Sequence, residues 1–200
     1  ICNRNPGGPF GGSATQYFVG TFDGKKFVNE SPALTKWMDW GKDHYATVTW
    51  SNAPEGRHIA LAWMSNWQYA NNVPTQQYRS GNSVPRDLSL YTSKGETYVK
   101  CTPSRELLKL RDKGTKKRSF KVDRSYNLDR LLSDNTGTYE IEMTFKNKNA
   151  EIIGFQLFNS KGEEVEIYYN LVDKQFAMDR TKSGDVSFSK DFPAVTLAPI

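Results

Sequence analysis

The feature that most constrains this chain is a two-residue alternation of apolar and polar side chains, repeated in short runs. In "TYEIEMTF", Thr138 to Phe145, the residues Tyr139, Ile141, Met143 and Phe145 alternate with polar neighbours. That is the period of a strand with one buried face. "TQYFV" (Thr15 to Val19), "YATVTW" (Tyr45 to Trp50) and "HIALAWM" (His58 to Met64) are rich in β-branched and aromatic residues, which suit a pleated surface. "EIIGFQLF" (Glu151 to Phe158) and "EVEIYYNL" (Glu164 to Leu171) continue the pattern. Asp23-Gly24, Pro54-Glu55-Gly56, Lys94-Gly95 and Lys161-Gly162 supply turns between such runs. Only "SRELLKLR" reads as helical, with Ser104 as its cap and Leu107, Leu108 and Arg111 at helical spacing. Many short strands at regular intervals imply an all-β sandwich, barrel or propeller.

Composition narrows the possible partners. With 37% hydrophobic and 24% charged residues in 200, the chain is globular and long enough to bury a core. No apolar run is long enough to span a membrane. The net charge of +5 comes from both signs mixed along the chain, which argues against nucleic acid as the main partner. One basic run, "KLRDKGTKKRSFK" from Lys109 to Lys121, reads as a phosphate-binding patch or, better, as a solvated connector. Phe120 is its sole aromatic, so the stacking signature of single-strand binders is missing. Cys2 and Cys101 could pair but make no disulfide framework. With only His44 and His58 and no Cys-x-x-Cys, no metal site and no cofactor is expected. The chain opens on Ile1 without a methionine, so it reads as a piece of a longer protein.

All five tryptophans lie between Trp37 and Trp67, and the part beyond about Pro103 is richer in Lys and Glu. That break predicts two units meeting near residue 103. Strand parity puts Ile59, Leu61, Trp63, Ser65 and Trp67 on one face and Ala60, Ala62, Met64 and Asn66 on the other. Large residues opposite small ones suit a strand between closely stacked sheets, which leaves Trp63 equally open to a place in the core between them or on a binding surface. Trp67 falls where the apolar run gives way to "QYANNVPTQQYRSGNS", Gln68 to Ser83. An indole at such a rim offers a sugar ring an apolar platform and one N–H donor. The long amide-rich segment after it has the side chains that hydrogen-bond sugar hydroxyls, and long loops are often functional. Asp39, Asp43 and Asp87 are available acids, but nothing in their spacing forces the facing pair that a retaining glycosidase requires.

Several motifs, in one order, resemble glycoside hydrolase family 32, the levanases, inulinases and invertases. They are "GGSATQYFVGTFDGKKF" (Gly11 to Phe27), "WMDWGKDHYATVTWSN" (Trp37 to Asn52), "RHIALAWMSNWQYANNVPTQQYRSGNSVPRDLSL" (Arg57 to Leu90), "PSRELLKLR" (Pro103 to Arg111) and "DRTKSG" (Asp179 to Gly184). The resemblance implies a five-bladed β-propeller followed by a β-sandwich. Residues 1–102 would be the last part of the propeller and 103–200 a sandwich incomplete at its C-terminus. It implies hydrolysis of β-fructosyl bonds with retention, on levan, inulin or sucrose. Members of this family carry a nucleophilic aspartate in Asn-Asp-Pro-Asn-Gly, a stabilising aspartate in Arg-Asp-Pro and an acid/base glutamate in Glu-Cys. None of these motifs occurs here: Asp87 in "PRDL" is followed by Leu, and Asp39 in "WMD" lacks the flanking pattern. No catalytic residue is therefore expected in this chain, and the acids would lie upstream.

The resemblance also implies that the tryptophan-bearing strand and the tyrosine of "DHYA" line a fructose pocket. The expected substrate-binding residues are Trp67, Trp63, Tyr45 and Asn66, with Trp67 favoured by its rim position. His44 stands where relatives often have Phe, and its role is open. The expected partner is a fructan or sucrose-type carbohydrate, handled outside the cytoplasm, with self-association through exposed propeller edges. The alternative is a non-catalytic carbohydrate-binding module using the same Trp67 and amide-rich loop.

Overall fold

The computed structural model describes residues 1–131 and 137–199, and its regular structure is almost entirely strand. In chain order these are β1 (Cys2–Arg4), β2 (Ala14–Tyr17), β3 (Gly20–Phe22), β4 (Phe27–Asn29), β5 (Lys36–Trp37), β6 (Tyr45–Thr49) and β7 (Ile59–Met64). Then come β8 (Gly81–Asn82), β9 (Arg86–Ser93), β10 (Glu96–Pro103), β11 (Ile152–Phe158), β12 (Glu164–Asn170), β13 (Gln175–Lys182) and β14 (Val195–Pro199). Among the described residues these make four antiparallel sheets. β1-β2-β5 form one, β10-β9-β7-β6 with β8 on β7 the second, β11-β12-β13-β14 the third, and β3-β4 a short ribbon. The chain divides into one compact unit made of Ile1–Ser104 with the segment from Asn149 onward, and a second made of Arg105–Lys148.

Local chemistry explains the first unit's hairpins. Lys94 and Gly95 both have positive φ, 51° and 81°, the left-handed pair of a tight turn whose twist matches its strands. It lets β9 and β10 pair from Ser93↔Glu96 to Arg86↔Pro103. The apolar centre is Tyr17, Met38 and Ala60, with Val19, Leu88, Val99 and Cys101 packed against it. The Tyr17 hydroxyl is not wasted there: it accepts a bond from Val99 N at 3.2 Å. Lys36 is buried yet satisfied, donating to Ser31 Oγ (3.0 Å), Glu96 Oε2 (3.3 Å) and Thr97 O (2.8 Å) and lying 4.8 Å from the Tyr98 ring centre. It ties β5 to the β9–β10 hairpin without leaving an unpaired buried charge.

Three expectations are corrected. "TYEIEMTF" forms no strand among the described residues, although its alternation is faithful: Ile141 and Met143 are half-buried, Tyr139 and Phe145 exposed. A strand needs a ladder partner for its backbone groups, and alternation alone does not supply one. "SRELLKLR" is a six-residue 3-10 helix, Arg105–Leu110, with no buried residue. With no apolar face docked, so short a segment gains little from α-helical hydrogen bonds. Ser104 does not cap it; its hydroxyl is the buried side-chain oxygen left without a partner among the described residues. Cys2 and Cys101 are both free thiols, one on β1 and one on β10. The basic run from Lys109 to Lys121 is exposed throughout.

Candidate functional site

β7 ends at Met64, three residues short of the Trp67 to which the parity reading carries it, and the chain reverses around Asn66. The backbone carbonyl of Asn66 accepts from Tyr69 N (3.1 Å) and Ala70 N (2.9 Å). Its side chain has no exposed surface and is filled on both sides. Oδ1 accepts from Ser13 N at 3.1 Å and Gln68 N at 3.0 Å, while Nδ2 donates to Lys42 O at 2.9 Å and Gly11 O at 3.2 Å. One amide thus joins three separated segments. The approach is close enough to exclude a side chain at Gly12. Its φ is 65°, and a Cβ there would lie 2.1 Å from Asn66 Oδ1. Asn66 therefore stands behind the aromatic surface, not on it.

Trp67 rides on this turn, its N–H held by Ser13 Oγ at 3.0 Å, and its side chain is half exposed. Its ring centre is 5.1 Å from that of Trp63, tilted by 52°. Trp63 in turn meets Tyr45 edge-on at 6.3 Å. The partnership of Tyr45 with Trp63 depends on a bulge in β6. The ladder runs Thr49↔Ala60 and Val48↔Leu61, then slips so that Tyr45 faces Trp63, with Ala46 at φ 51° in the left-handed region. Such a bulge redirects a side chain that regular pairing would send elsewhere. On its other side Trp63 pairs with Asn82 of β8. The result is a Tyr45–Trp63–Trp67 ladder that ends in an indole open to solvent.

The nearby acids are each turned toward an arginine. Arg86 Nη1 donates to Asp39 at 2.9 Å, and Arg57 grips Asp87 through Nε (2.6 Å) and Nη2 (2.7 Å). Asp43 receives Arg180 Nη1 from β13 and the Tyr69 hydroxyl at 2.5 Å. The structure brings Asp39, Asp43 and Asp87 to three different guanidinium groups, each a geometry of structural ion pairing. His44 is buried, with Nδ1 3.4 Å from Thr47 Oγ1. Burial pulls its imidazole below the ordinary value; Asp39 opposes that shift and Arg86 reinforces it. Among the described residues, no group of His, Cys, Asp or Glu is arranged to hold a metal.

Two buried polar residues beside this surface escaped sequence reasoning. Tyr69, read as part of a polar loop, is 2% exposed and anchors that loop. Burial, then the neighbouring Asp43 carboxylate, drives its hydroxyl far above the usual phenol range. Arg180 donates Nη2 to the Tyr69 hydroxyl (2.8 Å) and Nε to Phe192 O (2.8 Å). Its guanidinium carbon sits 4.1 Å from the Phe192 ring centre and 5.5 Å from that of Tyr69. Lys42 joins them, with Nζ donating to Asp191 O at 2.5 Å and lying 5.6 Å from the Tyr69 ring centre. The only sequence signal for Arg180 was its place in "DRTKSG".

Comparison with known proteins gives this surface a context. The chain is 39% identical over 188 residues to the levanase of Bacillus subtilis (strain 168), covering 91% of this chain and 28% of that protein. It is 32% identical over 206 residues to the extracellular exo-inulinase of Aspergillus awamori, covering 98% of this chain and 38% of the relative. It therefore spans about a third of the length of these relatives. The crystal structure of exo-inulinase from Aspergillus awamori superposes with a TM-score of 0.74 at 27% identity, over 99% of this chain and 40% of that one. The profile of the glycosyl hydrolases family 32 N-terminal domain matches residues 2–101. That of the glycosyl hydrolases family 32 C terminal matches residues 106–200. With consecutive halves of one family's architecture matched along nearly its whole length, this chain belongs to glycosyl hydrolases family 32.

Proposed function

We propose that this chain is the C-terminal portion of a retaining glycoside hydrolase that cleaves β-fructosyl bonds in fructans or sucrose. Residues 1–102 form the last part of a five-bladed β-propeller and residues 103–200 part of the supporting β-sandwich. Similarity to a levanase and to extracellular exo-inulinases supports a fructan substrate and action outside the cytoplasm. The exposed end of the Tyr45–Trp63–Trp67 ladder carries the reading. It offers an apolar face of the size of a sugar ring, where C–H groups stack while hydroxyls stay hydrated. Trp67 makes the contact, Trp63 and Tyr45 back it, and Asn66 holds the turn. The wild-type open sheet edges are expected to be covered by the rest of the propeller, or by a second copy where they are not.

The chemistry itself is assigned to residues outside this chain. A retaining mechanism uses two carboxylates about 5–5.5 Å apart, one attacking the anomeric carbon and the other protonating the leaving oxygen. The commitment of Asp39, Asp43 and Asp87 to separate arginines supports a scaffold role for these three. The test is fructose release from levan, inulin and sucrose by the full-length protein and its Trp67→Ala variant. Loss of a stacking platform worth about 1–1.5 kcal/mol raises KM roughly tenfold. A full-length protein that binds fructo-oligosaccharide without releasing fructose would establish the alternative, a non-catalytic carbohydrate-binding module. Unchanged kinetics in the variant would remove Trp67 from the binding surface.

A further inference from the structure

We propose that Arg180, on the C-terminal four-stranded sheet, is a positioning residue for the aromatic surface and so sets how tightly that surface takes sugar. The inference rests on the reading of that surface as a sugar platform. Its physical basis is where the guanidinium reaches. Arg180 is 137 residues from Asp43 and 111 from Tyr69 in sequence, yet it bonds both. Asp43 lies two residues before Tyr45, and Tyr69 two residues after Trp67. The guanidinium therefore ties together the side chains of two residues just outside both ends of the Tyr45–Trp63–Trp67 ladder.

Each of the three guanidinium nitrogens donates. Nε, Nη1 and Nη2 bond to Phe192 O, Asp43 and the Tyr69 hydroxyl, and the Tyr69 hydroxyl passes its proton's bond to the second oxygen of Asp43. Phe188 and Phe192 wall the group in, their ring centres 6.4 Å and 5.4 Å from that of Tyr69. A planar fork suits this triangular set, and an ammonium does not. The constraint then propagates by bonds rather than by proximity alone. Lys42, next to Asp43, accepts Asn66 Nδ2 on its carbonyl, and the same Asn66 amide fixes Gln68 N and Ser13 N. Ser13 Oγ receives Trp67 N. Loosening Arg180 frees Asp43 and Tyr69 together, and the turn bearing Trp67 loses its outer support.

The experiment compares wild type, Arg180→Ala, Arg180→Lys and Tyr69→Phe in the full-length protein, well below each variant's melting temperature. Two readouts are taken: KM and kcat for an inulin-type oligosaccharide, and acrylamide quenching of tryptophan with and without Trp67→Phe. We expect KM to rise about tenfold in Arg180→Ala with kcat within about twofold, because sugar binding weakens while the reacting groups are untouched. Arg180→Lys falls between, and Tyr69→Phe moves the same way by less. Quenching rises in Arg180→Ala, and the rise disappears in the Trp67→Phe background. A lower melting temperature with KM and quenching unchanged would show a structural brace only and overturn the proposal. If Arg180→Ala does not fold, Tyr69→Phe alone decides by the same criteria. Should the wild type release no fructose, the functional reading fails, while the quenching comparison still decides for or against the clamp.

Discussion

Replacing Asn66 by Ala removes an amide with no exposed surface and four partners within 3.2 Å. Ser13 N and Gln68 N lose their acceptor, and the carbonyls of Lys42 and Gly11 lose their donor. A buried polar group left unpaired costs about 1–3 kcal/mol. Water entering the vacated space restores part of that, since a small polar cavity admits one. The net loss expected is about 3 kcal/mol, a large fraction of an ordinary domain's stability. Urea unfolding followed by tryptophan emission is the assay, with wild type and variant run side by side. Asn66→Asp separates the two halves of the amide. It keeps the acceptors for Ser13 N and Gln68 N but turns an oxygen toward two carbonyls, so it is expected to be no better than Ala. A residue that touched substrate and nothing else would move KM and leave the urea midpoint alone. A loss under about 1 kcal/mol in Asn66→Ala would refute the argument that this amide organises the turn.

Gly12→Ala is expected to act on the same amide from the other side. It forces a left-handed backbone costing about 1–2 kcal/mol and a Cβ into Asn66 Oδ1, so a wild-type melting temperature would contradict it. His44→Phe addresses pH. The folded imidazole titrates below its unfolded value of about 6.5, so as pH falls the unfolded chain takes the proton first. Stability is therefore lost as pH drops through that value and levels off below the folded one. The variant lacks this acid-side loss, and an unchanged difference between urea midpoints at about pH 7 and pH 5 would exclude His44 as its source.

Strand alternation and turn residues were enough to read an all-β chain, because period-two patterning and a Lys-Gly turn act over a few residues. β7, β11 and β12 follow their alternating runs closely, and the motifs quoted from Gly11 to Arg111 identified the family. What local pattern could not carry was anything decided by a partner distant along the chain. Thr138 to Phe145 has the alternation of a strand but joins no ladder among the described residues. Parity assigned Trp67 to the face of Trp63 by extending β7 past Met64. The two rings do meet, but through a turn that Asn66 closes with segments from Gly11 to Lys42. Asn66, beside Trp67 in sequence, is turned away from solvent because three backbones converge on its amide. Arg180 meets Asp43 and Tyr69 only once the C-terminal sheet has packed. Short-range sterics and polarity are written in consecutive residues; the pairing of a buried charge or amide is settled by whichever segments the fold brings within hydrogen-bond reach.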